Sequence, residues 1–280
     1  MSKVALFTMD VESFYDTDCI RKLNLKQTED HFDGLDNYLK LLKKYNIKST
    51  LFVVSSIINK IKEKLKDALN EGHEIALHTK NHEIPTLKSN EEFNQEIIDA
   101  KKEIFDSLNI NVEGFRSPCF AINNEKLEIL KNNGFKYDSS YLNFNKKNYH
   151  EDLDLSLFRK INSSVYNYES FYEFEMSSIN NFPICGGGYI RIPPFIFTKG
   201  LIKKYIKNND VFIFYLHPFE LSNTSKHRIN KLNSLDKYYL KVNKKSFIRK
   251  IDKIIKMLKK EGFEFKTYQQ YINEHEKTID

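Results

Sequence analysis

The sequence has no tryptophan, only three cysteines and no long hydrophobic run. The cysteines, Cys19, Cys119 and Cys185, are odd in number and widely spaced, and none belongs to a C-x-x-C pair. This pattern argues against a zinc ribbon and against a disulfide framework, because both require cysteines that are paired or closely spaced. We therefore expect a reducing, cytoplasmic environment.

The sequence also shows no secretory signal and no membrane-spanning segment. A strand-like apolar run begins within three residues of the N-terminus, without the hydrophobic region or cleavage site of a secretory signal. No apolar stretch approaches the roughly 20 residues that a membrane-spanning helix needs. The sequence predicts a cytoplasmic protein with no membrane span.

The composition is that of an ordinary globular protein. Of the 280 residues, 40% are hydrophobic and 29% are charged, which excludes a disordered chain. The 22 Phe and 16 Tyr supply the aromatic surface that both cores and sugar-binding clefts use. No repeat or linker stands out, so we predict a single domain over residues 1–280.

Positive charge is concentrated near the C-terminus. Residues 226–260 contain 13 Lys or Arg and two Asp, although the whole chain has a net charge of only +6. Such a segment suits nucleic acid, anionic lipid or a phosphorylated substrate, but it also suits a solvated helix face. Apolar residues at helical spacing beneath the lysines favour the solvated face. No nucleic-acid-binding motif is present, so we expect no nucleic-acid partner.

Strand-like and helix-like segments alternate along most of the chain. The strand-like segments are 4–8, 49–54, 73–77, 112–115, 135–137, 211–216 and 263–265, and the helical ones are 33–45, 56–70, 89–108, 124–133, 199–207 and 245–260. This alternation predicts an α/β fold with a parallel sheet, and the number of units indicates a barrel. Residues 140–195 interrupt the alternation and predict a polar, β-rich insertion.

Two histidines, His78 and His82, stand four residues apart after a strand-like run. At that spacing two imidazoles fall on one face of a helical turn, close enough to bind one divalent metal ion. Two carboxylates, Asp10 and Glu12, follow the first strand, where an extended chain points both to one face about 6.6 Å apart. Two histidines and one carboxylate are typical of a catalytic metal site, and either carboxylate fits.

The candidate residues share one position in the predicted fold. Asp10, His78, Arg116 and Asp138 each lie at or just past the end of a strand-like segment. In a parallel barrel these ends gather at one mouth, where active sites lie. We therefore expect the four side chains to converge.

A triple glycine, residues 186–188, precedes Tyr189 and Arg191. It lacks the strand-to-helix context of a phosphate-binding loop, so we predict no nucleotide fingerprint. Glycine there allows either a sharp turn or a close approach of backbone to a ligand. Tyr189 and Arg191 fit a substrate contact and a packing role equally well.

In this order the motifs resemble those of a known family. Thr8 to Glu12 (Thr-Met-Asp-Val-Glu), His78 to His82, Arg116 to Pro118 and Leu216 to Glu220 (Leu-His-Pro-Phe-Glu) resemble the polysaccharide deacetylases, the NodB-homology or family 4 carbohydrate esterases. Tyr-Asp-Ser-Ser at 137–140 and Gly-Gly-Gly-Tyr-Ile-Arg at 186–191 are most similar to the exopolysaccharide- and lipopolysaccharide-associated branch. The resemblance covers about residues 4–270.

The resemblance implies a distorted barrel of seven or eight β/α units and removal of an acetyl group with a divalent metal. Zinc is the first expectation, with cobalt, manganese, nickel and iron as alternatives. By position, His78, His82 and Glu12 would bind the metal and Asp10 would be the general base. Because the family more commonly has two adjacent aspartates, the assignment of Asp10 and Glu12 to these two roles stays open.

The remaining roles also come from the resemblance. Arg116 would hold the base carboxylate ionised, and His217 would protonate the leaving amine. The backbone N–H of Cys119 would help to bind the oxyanion. Asp138 is our choice for the partner of the acid histidine. His217 follows six apolar residues, so a buried structural histidine is the alternative.

The expected function is removal of an acetyl group, in the first place N-acetyl, from an amino-sugar unit during biosynthesis of a bacterial lipopolysaccharide, capsule or exopolysaccharide. The acetamido sugar is carried by a nucleotide, a lipid or an oligosaccharide. Two alternatives remain: a related barrel hydrolase that opens a cyclic amide, and an inactive carbohydrate-binding protein. The sequence leaves the oligomeric state open.

Overall fold

The first strand, β1 (Val4–Val11), has hydrogen-bonded neighbours on both sides and all eight of its residues are buried. The computed structural model describes residues 2–21, 23, 31–143, 150–151, 153–180, 182–223 and 232–277. A strand whose residues are all buried is typical of a parallel sheet that is covered on both faces.

The other strands are β2 (Thr50–Val53), β3 (Glu74–Leu77), β4 (Gly114–Phe115), β5 (Tyr137–Tyr141), β6 (Arg159–Lys160), β7 (Val165–Tyr168), β8 (Phe171–Glu175), β9 (Ser178–Ile179), β10 (Phe182–Pro183), β11 (Val211–Leu216) and β12 (Glu264–Lys266). The helices are α1 (Asp18–Arg21), α2 (Asp33–Lys43), α3 (Ile58–Asn70), α4 (Asn90–Leu108), α5 (Asn124–Asn132), α6 (Gly187–Arg191), α7 (Phe195–Tyr205), α8 (Pro218–Leu221), α9 (Ser234–Lys241), α10 (Lys244–Lys260) and α11 (Tyr268–Glu276). Short 3-10 turns occupy Phe14–Asp16, Ser55–Ile57, Pro85–Leu87 and Pro118–Phe120.

The main sheet has the order β11-β1-β2-β3-β4-β5-β8-β7-β6, and β12 pairs with β1. Neighbours from β11 to β8 are parallel, whereas β7 and β6 are antiparallel additions at one edge. The sheet curls into a half-barrel, and a single parallel bridge joins Gly186 to Tyr215 of β11. The predicted α/β fold with a parallel, distorted barrel is confirmed.

Two hydrophobic clusters lie on opposite faces of the sheet. In β1, Ala5, Phe7 and Met9 belong to the cluster that contacts the helices, whereas Leu6 belongs to the cluster inside the curl. Because side chains alternate along a strand, Thr8 and Asp10 share the inner face with Leu6. The inner face therefore leads from an apolar interior to polar groups at the carboxyl ends of the strands.

The region 140–195 is β-rich as predicted, but it is not separate from the main sheet. Its hairpin, β7 and β8, joins that sheet because β8 pairs in parallel with β5. Four short helices near or beyond this region, α6, α8, α9 and α11, were not predicted. That residues 1–280 form one domain stays a prediction. Across the described parts of the chain, no helix is both long enough and apolar enough to span a bilayer.

Candidate active site

Asp10 is held by an arginine inside the curl of the sheet. Its Oδ1 accepts a hydrogen bond of 2.7 Å from Nη1 of Arg116, and both side chains are buried. Nη1 also donates to the Thr8 hydroxyl, Nε donates to the Ser139 carbonyl, and Nη2 donates to the hydroxyls of Ser139 and Tyr268. All five N–H donors of the guanidinium therefore have partners. An arginine fixed in this way holds the Asp10 carboxylate in one orientation.

Glu12, His78 and His82 form a buried cluster beside Asp10. Glu12 Oε2 lies 2.6 Å from His82 Nε2 and 3.8 Å from His78 Nε2. One ligand atom from each residue lies within 4.8 Å of the others. The Nδ1 of His78 lies 2.7 Å from the carbonyl oxygen of Arg116. The carbonyl accepts a hydrogen bond from Nδ1–H, so the lone pair of Nε2 faces the cluster.

The two histidines come together through a loop and not through the helical turn that their spacing predicted. Residues 78–84 contain no helix, and Thr79 and His82 have φ values of 60° and 55°. These left-handed residues fold the loop back so that the two rings lie 5.1 Å apart. Nδ1 of His82 is buried and has no hydrogen-bond partner among the described residues.

Charges within the cluster shift the pKa values of its members. Burial favours the neutral acid, yet the imidazoles of His82 and His217 hold the pKa of Glu12 well below its usual range. Burial also opposes the charged form of His82, but the Glu12 carboxylate outweighs it and raises the pKa of His82. Two nitrogen donors and one anionic oxygen in a buried cluster fit a divalent ion of the zinc type.

His217 follows β11 and reaches the same cluster. Its Nε2 lies 4.0 Å from Glu12 Oε1, and its side chain is 21% exposed. Its Nδ1 lies 3.3 Å from Oε2 of Glu220, three residues along the chain. Burial disfavours the imidazolium, but the carboxylates of Glu12 and Glu220 raise the pKa of His217 to about 9. His217 therefore lies in the site, and Glu220 is its carboxylate partner.

Glu220 was not predicted as a site residue. Its contacts explain features of two other residues, Arg191 and Gly187. It is fully buried and accepts a 3.0 Å hydrogen bond from Nε of Arg191, which is also fully buried. Arg191 thus positions Glu220, and its assignment as a substrate contact stays a prediction. Gly187 is required beside it, because a Cβ there would lie 1.9 Å from the Glu220 carboxylate. The absence of a side chain at Gly187 thus leaves room for the Glu220 carboxylate.

The choice of Asp138 as the partner of His217 was wrong. Asp138 accepts hydrogen bonds of 2.7 Å and 2.9 Å from the hydroxyl and backbone N–H of Ser140. Its neighbour Ser139 contacts Arg116 on the inner face, so the alternation of β5 sends Asp138 to the opposite face. There it is fully buried beside Glu173, and burial raises the pKa of Asp138 to about 6.

Cys119 lies next to the site in the 3-10 turn after β4. It has a φ of 56° and is half-buried, and its carbonyl oxygen lies 2.8 Å from Nε2 of His150. Tyr189 is half-buried on α6, with its ring centroid 6.4 Å from that of Phe182. The roles assigned to these two residues, an oxyanion N–H and a substrate contact, stay predictions.

The glutamate at position 220 was visible in the sequence as the end of the His-Pro-Phe-Glu motif. A glutamate three residues after a helix-capping residue commonly turns back to it, and α8 has this capping box with His217. The spacing therefore carried a signal for this pair. Sequence alone gave no sign that Arg191 contacts Glu220, because α6 and α8 are separate in the chain.

Comparison with known proteins finds similar families and structures. Residues 31–137 match the family model for polysaccharide deacetylase, and residues 156–273 match a domain of unknown function, DUF3473. A peptidoglycan deacetylase of Helicobacter pylori is 29% identical over 109 residues, which are 39% of this chain and 37% of that protein. The chain thus spans little more than a third of the length of that relative.

Solved structures share the fold over nearly the whole chain. A polysaccharide deacetylase described as putative, from Mycobacterium smegmatis, superposes with a TM-score of 0.65 at 14% identity and covers 98% of this chain and 91% of that one. A family 4 pseudoenzyme from Bacillus anthracis superposes with a TM-score of 0.57 at 13% identity, covering 97% and 66%. At these identities the likeness shows the fold and does not decide activity. Residues 31–137 are therefore similar to the polysaccharide deacetylase family, and the chain shares the fold of solved family 4 structures.

Proposed function

We propose that this protein hydrolyses the acetamido group of an amino-sugar unit in a glycan, with a divalent metal held by Glu12, His78 and His82. The observation that carries the proposal is the buried ligand cluster next to a carboxylate, Asp10, that an arginine holds in place. Hydrolysis of an amide needs an activated water, a stabilised oxyanion and an acid for the amine. The residues described above supply a group for each need.

The ligand set favours zinc, because two imidazoles and one carboxylate with open positions are typical of hydrolytic zinc. Cobalt, manganese, nickel and iron accept the same donors and remain alternatives. When bound, the ion would polarise the acetyl carbonyl and lower the pKa of a bound water to roughly 7. The hydrogen bond from His78 to the Arg116 carbonyl fixes its tautomer, so that Nε2 is ready to bind before the metal arrives.

Asp10 is the proposed general base. Its carboxylate is held in place by Arg116, which is buried against it and has every donor satisfied. Asp10 takes a proton from the attacking water as the water oxygen bonds to the acetyl carbon. Glu12 is left to bind metal, because its carboxylate reaches both histidines while Asp10 is engaged by Arg116.

His217 is the proposed general acid. Glu220 accepts the Nδ1 proton, which leaves the Nε2 proton directed toward the cluster. That proton passes to the sugar nitrogen as the carbon–nitrogen bond breaks, giving a free amine and acetate. Glu220 is itself fixed by Arg191, so the acid imidazole is held in one orientation.

The substrate class rests on the relatives and on the motifs. The curated relative from Helicobacter pylori is named as a peptidoglycan deacetylase, which supports an N-acetylated bacterial glycan. The Gly-Gly-Gly-Tyr-Ile-Arg and His-Pro-Phe-Glu motifs support the narrower proposal of a lipopolysaccharide, capsule or exopolysaccharide intermediate. The carrier, a nucleotide, a lipid or an oligosaccharide, and the cytoplasmic location stay predictions.

Acetate release tests the proposal. The purified protein is incubated with N-acetylglucosamine oligomers, peptidoglycan fragments and acetamido-sugar nucleotides, with and without chelator. We expect release from at least one class, loss of release with chelator, and recovery on adding a divalent metal. Asp10→Asn should abolish most of the activity, whereas the exposed Asp154→Asn should not.

Two other outcomes would point to the alternatives. Ammonia release or ring opening of a cyclic amide without acetate release would indicate the related barrel hydrolase. Binding of glycans without turnover in any metal would indicate an inactive carbohydrate-binding protein. The complete set of ligands, base and acid argues against the inactive protein, because such a protein has no need to keep them together.

A further inference from the structure

The helices α7 and α10 form a basic groove on the outside of the molecule. Its floor includes Phe195 and Met257. Five lysines line the groove: Lys199, Lys203, Lys253, Lys256 and Lys260. We call these lysines, together with the floor, the lysine groove. All five lysine residues are exposed. The active-site residues lie elsewhere, at the carboxyl ends of the strands, so the proposed chemistry does not account for this surface.

The positive charge of the lysine groove is mostly uncompensated. Glu261 is the single acid among its lining residues. Lys256 is paired with Asp252 at 2.8 Å, in an exposed contact that contributes little. In the described part of the chain, no ion pair involves Lys199 or Lys203. The groove is therefore complementary to a negatively charged surface.

Large apolar side chains are exposed beside these lysines. In the first turn of α7, Ile196 is 82% exposed and Phe197 is 53% exposed. The ring of Phe197 lies 6.3 Å from that of Phe182, which is 40% exposed. We call these three residues the apolar tip. Exposure of large apolar side chains to water is unfavourable. A cluster of them on the surface is typical of an interaction site.

We propose that the lysine groove and the apolar tip bind the surface of an anionic lipid bilayer. The lysines contact the negative headgroups, while Ile196, Phe197 and Phe182 enter the interface between headgroups and acyl chains. Stable association with a bilayer needs two signals, such as apolar insertion and a basic patch, and both are present here. The proposal does not depend on the deacetylase chemistry.

Other occupants fit the two features less well. A soluble polyanion or a nucleic acid uses the lysines but leaves the apolar tip in water. A second copy related by a twofold axis brings one lysine groove against another, so that like charges repel. A bilayer with acidic headgroups satisfies the lysines and the tip together.

Vesicle co-sedimentation tests the proposal without any substrate. The full chain is mixed with phosphatidylcholine vesicles and with the same vesicles containing phosphatidylglycerol. We expect binding to the phosphatidylglycerol vesicles and weak binding to phosphatidylcholine alone. Lys199→Glu/Lys203→Glu should lower the affinity about tenfold or more, because each basic residue near an anionic surface contributes on the order of 1 kcal/mol.

Further variants separate the two signals. Ile196→Ser/Phe197→Ser should weaken binding at high salt, where headgroup attraction is screened. Lys160→Glu/Lys277→Glu, which makes the same charge change at exposed residues outside the groove, should bind like the unmodified protein. Circular dichroism and acetate release from a soluble substrate should be unchanged in all three, which shows that the variants fold.

Three results would overturn the proposal. The first is absence of binding to phosphatidylglycerol vesicles, or equal loss in the groove variant and its control. The second is binding to dextran sulfate or DNA that matches vesicle binding and ignores the apolar tip, which indicates a soluble polyanion. The third is a concentration-dependent dimer that the tip variant abolishes, in a protein that binds no vesicles.

Discussion

Two carboxylates two residues apart, Asp10 and Glu12, are separated in function by their partners. Arg116 donates to Asp10, and the imidazoles of His78 and His82 face Glu12. Both side chains are buried, so burial does not distinguish them. The difference arises because β1 ends at Val11, which places Asp10 inside the sheet and Glu12 in the following loop.

Substitution of each carboxylate should affect a different property. Asp10→Asn is nearly isosteric and leaves Glu12 and both histidines in place, so bound metal should persist. Turnover should fall by about 10² or more, since a general base typically contributes 10²–10⁴-fold. Glu12→Gln should instead lose metal affinity and recover part of its activity in excess metal. Metal content and acetate release on both variants decide between the roles, and loss of metal only from Asp10→Asn would exchange them.

Glu220 should matter for turnover and not for metal binding. Glu220→Gln keeps the size of the side chain but removes the negative charge beside Nδ1 of His217. The imidazolium is then less well stabilised and oriented, so kcat should fall about tenfold or more while the metal content stays the same. The exposed Glu264→Gln is the matched control. Loss of metal in Glu220→Gln would show instead that this residue supports the ligand cluster.

At the scale of the elements, β5 separates catalytic from structural groups by alternation. Ser139 faces Arg116 and Asp138 faces Glu173 on the other side of the strand. Oε1 of Glu173 accepts from the backbone N–H groups of Ser140 and Tyr141, while its buried Oε2 has no donor among the described residues. A proton shared with Asp138 supplies that donor, because burial and the Asp138 charge raise the pKa of Glu173 well above its usual range.

This pair should make stability depend on pH. The folded protein keeps a proton that the unfolded chain releases near pH 4, so the pair stabilises the fold below that pH. This stability is lost as the pH rises through the raised pKa values of the pair in the folded protein, the lower of which is the pKa of about 6 for Asp138. Glu173→Gln carries its own N–H donor and should flatten the decline.

Urea unfolding at pH 5 and pH 8 measures the effect. The unmodified protein should lose more stability between these two pH values than Glu173→Gln does. The exposed Glu169→Gln should behave like the unmodified protein. Parallel pH profiles for all three proteins would show that the pair holds no proton.

The short helix α6 depends on a glycine for its contact with α8. A Cβ at Gly187 would lie 1.9 Å from Oε2 of Glu220, whereas a Cβ at Gly200 of α7 would meet nothing within 4 Å. Gly187→Ala should therefore displace Glu220, lower the melting temperature and reduce acetate release. Gly200→Ala should raise stability by up to about 1 kcal/mol through helix propensity. Equal melting temperatures for the two variants would contradict the close contact.

At the scale of the whole molecule, the order of strands and helices was predictable because parallel strands are buried on both faces. The runs that became β1, β2 and β11 are mostly apolar, so their bounds differ from the prediction by only a few residues. The ligand cluster was predictable because its members follow such strands. The sequence did not predict β8 as a member of the main sheet, since its alternating polar residues do not distinguish a sheet edge from an insertion.

The errors at the site have a common physical cause. The face toward which Asp138 points changes with a shift of one residue in the position of β5, which sequence patterns do not define that closely. The loop of His78 and His82 is set by left-handed residues, Thr79 and His82, that have no sequence signature. Contacts between distant elements, such as Arg191 with Glu220, depend on the finished fold.

The position of β1 also bears on how the chain folds during synthesis. Val4 pairs with Val211 on one side and with Glu264 on the other, so β1 leaves the ribosome long before two of the strands that pair with it. Pairing at such separation is slow, and an unpaired apolar strand edge favours aggregation until it forms. We therefore expect the yield of folded protein to depend strongly on the expression temperature and on the rate of translation. The stability of the folded protein alone should not determine that yield.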